Sequence, residues 1–457
     1  MGDAAEIVDA YADLVDARGA YKEARVFANG EKGDVYASRR VRVMLQTLGV
    51  EAPYDLNYCA IPIRVITDRL DLAAPISGDK QLLAAAQAFH RQHRLGIVAQ
   101  VTHTMASTYG DAYIYAEEDP EGAILRVNNP ESVRAIYTTA DPIDPVLLVK
   151  AWEDTDPQGK PVIRANLYYP DSHIEKWVTK PGALGKLERD WLRYPEDPED
   201  IELPGRLPFF HFRNNWPYGI PEHRSVYGAQ LLVNKLVVTH AATVDFQGFP
   251  QRYYMADPKM DDPLENLDDP DYPEDEYDDP EGPDGRSALS AHPSSVWKLY
   301  GRSAGQFTSA DAATFMTPLD RYIQSMSELS GLPAHHFKTV QGQTPSGAAL
   351  RVLDKPTDDI VGKRQRVYGE EWSELYRYVL DAGPEADLGV RWRPLRVIDD
   401  PEWWQTVELK RRNGVPLERL LIESGYSPEE ATEWAKIAPP LPEPTQGGTN
   451  HGTQDRG

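Results

Sequence analysis

Residues 225–246, SVYGAQLLVNKLVVTHAATVDF, predict a helix with apolar side chains on nearly every turn. A surface helix needs one apolar stripe, so this one must be covered on more than one side. Either the chain's own core buries it or neighbouring subunits do. Phe249-Pro250-Gln251-Arg252-Tyr253 ends the segment.

Composition then changes abruptly. Residues 257–286 hold fourteen Asp or Glu against Lys259 and Arg286, a net charge of −12, with six prolines. That window carries half of the net −24 of the 457-residue chain. A stretch so charged and so poor in apolar groups cannot bury enough surface to order itself, which predicts an exposed acidic insertion. Calcium-linked contact and partner binding are the other readings of the same composition. The run 268–274 lacks the glycine that an EF-hand loop requires. The overall charge argues against wrapping nucleic acid tightly, because that affinity comes from Lys and Arg displacing counterions. An acidic protein can still let DNA slide.

The N-terminal third alternates helical patches (5–48, 57–72) with two helices around Gly96 in residues 79–109. From Gly110 the pattern changes to short β-branched and aromatic runs: DAYIYAEE, ILRVNN, VRAIYTT, LLVKAWED, VIRANLYYP and IEKWV. Pro, Asp and Gly separate them, as expected for an antiparallel sheet in an α+β domain. Residues 180–220, with FFHFRNNW in the middle, read as a long ordered loop.

Beyond the acidic window, SSVWKLYG reads as a strand and residues 311–330 as a helix stopped by Gly331-Leu332-Pro333. Ser346 is the expected N-cap of a second, long helix that Pro356 kinks. VRWRPLRVI (390–398) predicts a strand, 403–437 two or three short helices, and 438–457 a disordered tail.

The sequence contains no GxGxxG, P-loop, HExxH, GxSxG or CxxC pattern. Gly182-Ala-Leu-Gly185-Lys186 has the wrong spacing for phosphate. Cys59 is the lone cysteine, which excludes an intrachain disulfide and reads as a small core residue. No apolar run reaches the length of a membrane span, and the acidic helical start does not read as a signal peptide. His335-His336 are metal-ligand types, but adjacent histidines are expected to point apart and no carboxylate lies at helical spacing. Glu370-Glu371 reads as solvated charge on a helix face. Residues 414–436 faintly suggest a helix-turn-helix, without a basic recognition helix. The expectation is no enzyme, no metal and no cofactor.

The order of parts resembles the portal proteins of long-tailed bacteriophages. The residues carrying the resemblance are 57–70 (NYCAIPIRVITDRL), Tyr109-Gly110-Asp111-Ala112-Tyr113, and 225–252 ending FPQR. They continue with 327–337 (SELSGLPAHHF), 344–350 (TPSGAAL), Gln365, Tyr368-Gly369, Trp372 and Gly414-Val415-Pro416. The resemblance implies an α+β portal-type fold with an outer α/β wing, a two-helix stem, a small clip, a tunnel loop with a long kinked helix, and a helical crown. The parts would be an N-terminal wing (1–224), a first stem helix (225–248) and a clip (249–305) holding the acidic insertion. A second stem helix (306–331), the tunnel loop (332–346), a long kinked helix with a return strand to the wing (347–399), a crown (400–437) and the tail (438–457) would follow.

It further implies a homo-oligomeric ring, usually of twelve subunits, at one capsid vertex in the virion, assembled in the host cytoplasm. Double-stranded viral DNA would be packaged, retained and ejected through it without sequence preference. The other implied partners are the terminase large subunit, the major capsid and scaffolding proteins, and a head-tail adaptor, with no membrane. The ring supplies the neighbours that 225–246 demands, with Leu231, Leu232, Leu236, Val237, Leu319, Ile323 and Met326 as stem packing. His335, His336, Lys338, Gln341 and Gln343 would face DNA from the tunnel loop. Gly331, Gly342, Gly347 and Pro356 would be its hinges. The readings from other classes are a metal-dependent hydrolase or nuclease using the Asp-rich segment, and an acidic interaction scaffold.

Overall fold

A computed structural model describes residues 4–31, 56–117, 123–170, 173–180, 191–194, 201–202, 206–248, 252–256, 296–300, 304–306, 316–337, 347–395, 401–424, 426 and 428–437. The acidic window 257–286 and the tail 438–457 lie outside these residues, as do Ser346, Lys338, Gln341, Gly342 and Gln343.

The sheet expected from Gly110 onward is present, split in two. Strands β4 (Val133–Ile136), β5 (Leu147–Thr155), β6 (Pro161–Tyr168), β7 (His173–Thr179) and β8 (Trp191–Arg193) run in that order, and β9 (Ile201–Glu202) also pairs with β7. Every pairing is antiparallel. Helix α1 (Ala4–Asn29) covers this sheet, burying Ile7, Tyr11 and Leu14 against Leu147, Val149, Ile163, Leu167, Trp177 and Trp191.

The second sheet has the order β10-β2-β3, from Phe209–Arg213, Asp111–Glu117 and Ile124–Asn128. Here FFHFR is a strand and not the loop expected from its Pro-rich setting. Phe210, His211, Phe212 and Arg213 are all buried, so the run lacks the polar alternation by which strands are recognised. Tyr113, Val133, Leu148 and Tyr168 fill the space between the two sheets.

The 57–72 segment holds the expected helix in shortened form, with Pro62 in its first turn. It forms a short helix α2 (Ala60–Thr67), then strand β1 (Leu72–Ile76), which pairs with β14 (Gly389–Trp392). The break between α3 (Lys80–Gln92) and α4 (Leu95–Tyr109) falls at His93-Arg94, with Arg94 at φ 50°, rather than at Gly96.

Helix α5 (Tyr227–Gly248) runs against α6 (Met316–Ser330). Between them β11 (Arg252–Ala256) pairs in parallel with β12 (Val296–Tyr300) and antiparallel with β13 (Ala304–Gln306). Gly331 at φ 70° closes α6, a backbone conformation that only glycine adopts without strain. The expected single kinked helix is two helices, α7 (Gly347–Leu353) and α8 (Lys355–Val379), separated at Asp354. Pro356 therefore lies in the first turn of α8, where a missing N–H costs nothing, instead of bending a helix interior.

Val361, Tyr368, Trp372, Leu375 and Tyr376 lie on one face of α8 at helical spacing and are buried against α4 and the β10-β2-β3 sheet. Helices α9 (Pro401–Arg412), α10 (Leu417–Glu423) and α11 (Pro428–Ile437) make a separate cluster. There Trp403 donates to Ser424 Oγ (2.9 Å) and Lys410 pairs with Glu423 (2.9 Å).

Candidate functional site

The described residues place part of the expected DNA-facing set at the junction between α6 and α8. Leu332-Pro333 follow Gly331, and Ala334–His336 form one 3-10 turn. The histidines do not point apart. Their rings lie 4.2 Å apart, tilted by 41°, and Nε2 of each is 3.0 Å from the same atom, Oδ1 of Asp354. Arg69 reaches the other carboxylate oxygen at 3.5 Å. Asp354 stands eighteen residues beyond His336, so no helical spacing in the sequence marks the partnership. Burial lowers the pKa of His336, and the charge of His335 lowers it further against the pull of Asp354. The expected free polar groups at 335 and 336 are thus partly buried and already engaged.

The helix pair behind this junction divides the expected stem residues. Ile323 and Met326 are buried with Val226, Ala229 and Val233, and Leu231, Val237 and Leu319 pack around them. Leu236 is partly buried, whereas Leu232 is 46% exposed in the single subunit. The inner face of α5 is also less apolar than its sequence suggests. Buried Gln230 donates to Asn234 Oδ1 (2.6 Å) and Leu56 O (2.8 Å), and accepts from Tyr58 N (2.8 Å).

The sequence reading missed a polar network between the sheets. Asp111, 1% exposed, accepts from Tyr21 (2.7 Å), His211 Nε2 (2.8 Å) and the Gly219 N–H (2.7 Å). Burial opposes its charge, but the bonds from His211, Gly219 and Tyr21 prevail and hold its pKa below the usual carboxylate range. Burial also depresses His211, which leaves it neutral, donating to Asp111 and accepting from Tyr137 at Nδ1 (2.7 Å). Arg134 pairs with Asp13 (2.5 Å) and lies 3.7 Å over the Tyr218 ring. The Arg213 guanidinium donates to Pro217 O (2.6 Å) and Ile143 O (2.7 Å). The network needs close backbone approach: a Cβ on Gly219 would sit 1.8 Å from Gly110 O. Tyr-Gly-Asp at 109–111 was the available signal, and its partners lie a hundred residues away.

Glu370 and Glu371 are not a solvated pair. Glu370 is exposed, while Glu371 is partly buried and its pKa is pushed up to about 7 by burial, with Arg213 opposing. An open cleft of about 660 Å³ beside the start of α5 is lined by Asn214, Asn215, Glu222, Arg224 and Arg364. Its Arg364 is committed to Glu222 through bonds of 2.5 and 3.1 Å. None of these groups couples a nucleophile to a base beside an open substrate space. They lock elements together.

The chain thus combines antiparallel sheets, a long helix pair and a three-helix terminal cluster, with its buried polar groups joining one element to another. The model of the phage portal protein family, SPP1 Gp6-like, matches residues 73–436, and the chain belongs to that family. The portal protein of Mycobacterium phage D29 is 23% identical over 359 residues, covering 74% of this chain and 66% of the relative. That of Mycobacterium phage L5 is 24% identical over 378 residues, covering 75% and 69%. The chain thus spans about two thirds of the length of these relatives. Among solved structures, a chain of a native gene transfer agent virion has a TM-score of 0.41 at 12% identity, covering 92% of this chain and 99% of the other. A chain from the neck of that native particle, computed with C12 symmetry, has a TM-score of 0.40 at 12% identity, covering 86% and 95%. No described helix is long and apolar enough to cross a membrane.

Proposed function

We propose that copies of this chain close into a ring, of about twelve subunits, at one capsid vertex, where double-stranded DNA is packaged, retained and ejected without being chemically altered. Family membership supports the class. The observation that carries the ring is Leu232: α5 buries Ala229 and Val233 against α6, yet turns Leu232 outward at 46% exposure. Leu329 on α6 is likewise 57% exposed. A head-to-tail ring offers neighbouring subunits to cover such side chains.

In this reading the two sheets and α1 form the wing, α5 and α6 the stem, β11–β13 the base of the clip, and α9–α11 the crown. Residues 332–346 form the tunnel loop, with Lys338, Gln341 and Gln343 as its DNA-facing groups and Gly331, Gly342 and Gly347 as its hinges. The chain's negative charge keeps friction on the duplex low, since a strongly basic channel would hold phosphates fast. The terminase large subunit, the capsid and scaffolding proteins and a head-tail adaptor are the partners this reading requires, first in the host cytoplasm and then in the virion.

Deleting residues 262–284 separates this reading from a nuclease that uses the Asp-rich segment. The deletion should leave a ring of correspondingly smaller mass. Divalent-metal-dependent DNA cleavage by the full chain, lost on deletion, would contradict the proposal.

A further inference from the structure

We propose that His335, His336 and Asp354 form a binding site for a zinc-class divalent cation, which clamps the turn after α6 to the start of α8. The argument begins with convergence. Nε2 of both imidazoles lies 3.0 Å from Asp354 Oδ1, and one ligand atom from each of the three residues falls within 4.8 Å of the others. Zinc bonded at about 2.0–2.2 Å to nitrogen and oxygen needs tetrahedral edges of about 3.3 Å, so the two nitrogen–oxygen separations grow by only a few tenths of an ångström to seat the ion, and the two nitrogens, already within 4.8 Å, adjust to the same edge.

The backbone makes this convergence unusual. Neighbouring residues of a 3-10 turn project about 120° apart, yet these two rings lie side by side at 4.2 Å. The carboxylate is also supported as a ligand carboxylate should be. Arg69 holds Oδ2 at 3.5 Å and leaves Oδ1 turned toward the imidazoles. Two imidazole nitrogens with one carboxylate oxygen suit a borderline cation such as Zn²⁺ rather than Ca²⁺ or Mg²⁺, which require more oxygens. The fourth position would take water. All three residues are only partly buried, with side chains 19%, 13% and 27% exposed, so an ion can enter.

The two sides of the site are joined through the chain by residues 337–353. A bound ion fixes both ends of that connection and does no chemistry. The inference does not depend on the ring, because the ligands all come from one chain.

The test uses full-length protein stripped with EDTA, dialysed against Zn²⁺ and assayed for bound metal, with Co²⁺ as a spectroscopic probe. The expected result is about one Zn²⁺ per chain, a rise in the thermal midpoint, and the intense visible absorption of tetrahedral Co²⁺. Asp354→Asn, which preserves shape, and His336→Gln should each weaken binding at least about 10-fold and remove the Co²⁺ band. His93→Ala, outside the site, should change neither. Absence of stoichiometric binding in the wild-type chain would overturn the proposal. So would binding that persists in folded Asp354→Asn or His336→Gln, with folding judged by circular dichroism.

Discussion

Trp372 donates its indole N–H to Nε2 of His103 over 3.0 Å, joining residues 269 positions apart. Nδ1 of His103 then donates to Leu70 O at 3.0 Å, and the ring stacks on Tyr368 with centroids 5.3 Å apart. One imidazole thus ties the turn after α2 to α4 and α8, and it does so only when neutral.

Burial lowers the pKa of His103 to about 4, against the Leu70 carbonyl, which raises it. The unfolded chain therefore binds a proton in the window from about 6.5 down to about 4 that the folded chain refuses. Stability from this group is complete above the window and is lost as pH falls through it, by about 3 kcal/mol in all. His103→Asn should flatten that part of the pH–stability curve in denaturant titrations. An unchanged slope would mean that His103 is solvated.

Glu371 acts in the opposite sense. Its pKa of about 7 exceeds that of an unfolded glutamate, so the folded chain holds the extra proton. Stability is greatest below about 4.5 and declines as pH rises toward 7, by roughly 2 kcal/mol after allowance for residual solvent contact. Glu371→Gln should remove this decline and raise the unfolding midpoint at pH 8. A lowered midpoint there would show that the charged carboxylate is needed.

On the proposed ring, Met326 and Leu232 separate packing within a subunit from packing between subunits. Met326 is fully buried, so Met326→Ala should cost about 2–4 kcal/mol in urea unfolding of the single chain. Leu232→Ala should cost under about 0.5 kcal/mol there, while weakening assembly measured by sedimentation. Equal effects of both changes on the isolated subunit would place Leu232 in the subunit's own core.

Gly219→Ala should abolish the polar network between the sheets, because the added carbon would meet Gly110 O at 1.8 Å. The same shift would pull the Gly219 N–H away from Asp111. We expect a loss above about 3 kcal/mol, read as poor soluble yield or a large fall in thermal midpoint. Near-native stability would contradict the close approach.

Local pattern made much of this fold readable. The β-branched and aromatic runs after Gly110 are strands, and Gly331 with Pro333 closes α6 where the sequence punctuates it. FFHFR was not readable because a strand buried on both faces has no alternation to detect. The β1–β14 pair and the Asp354 cluster were hidden for another reason. Their partners meet only through tertiary folding, across 18 residues for His336 and more than 300 for Ala74 and Arg391. Glu371 looked solvated because its neighbour Arg213 arrives from a strand far earlier in the chain. Lys338, Gln341 and Gln343 remain readings of the sequence alone.

Cryo-electron microscopy of the purified full-length chain tests the central claim most directly. The account predicts closed rings with about twelve-fold symmetry, a central hole wide enough for a duplex, and Leu232 covered by the adjoining subunit. Well-folded single subunits at high concentration across a range of salt, with Leu232 still facing solvent, would contradict it.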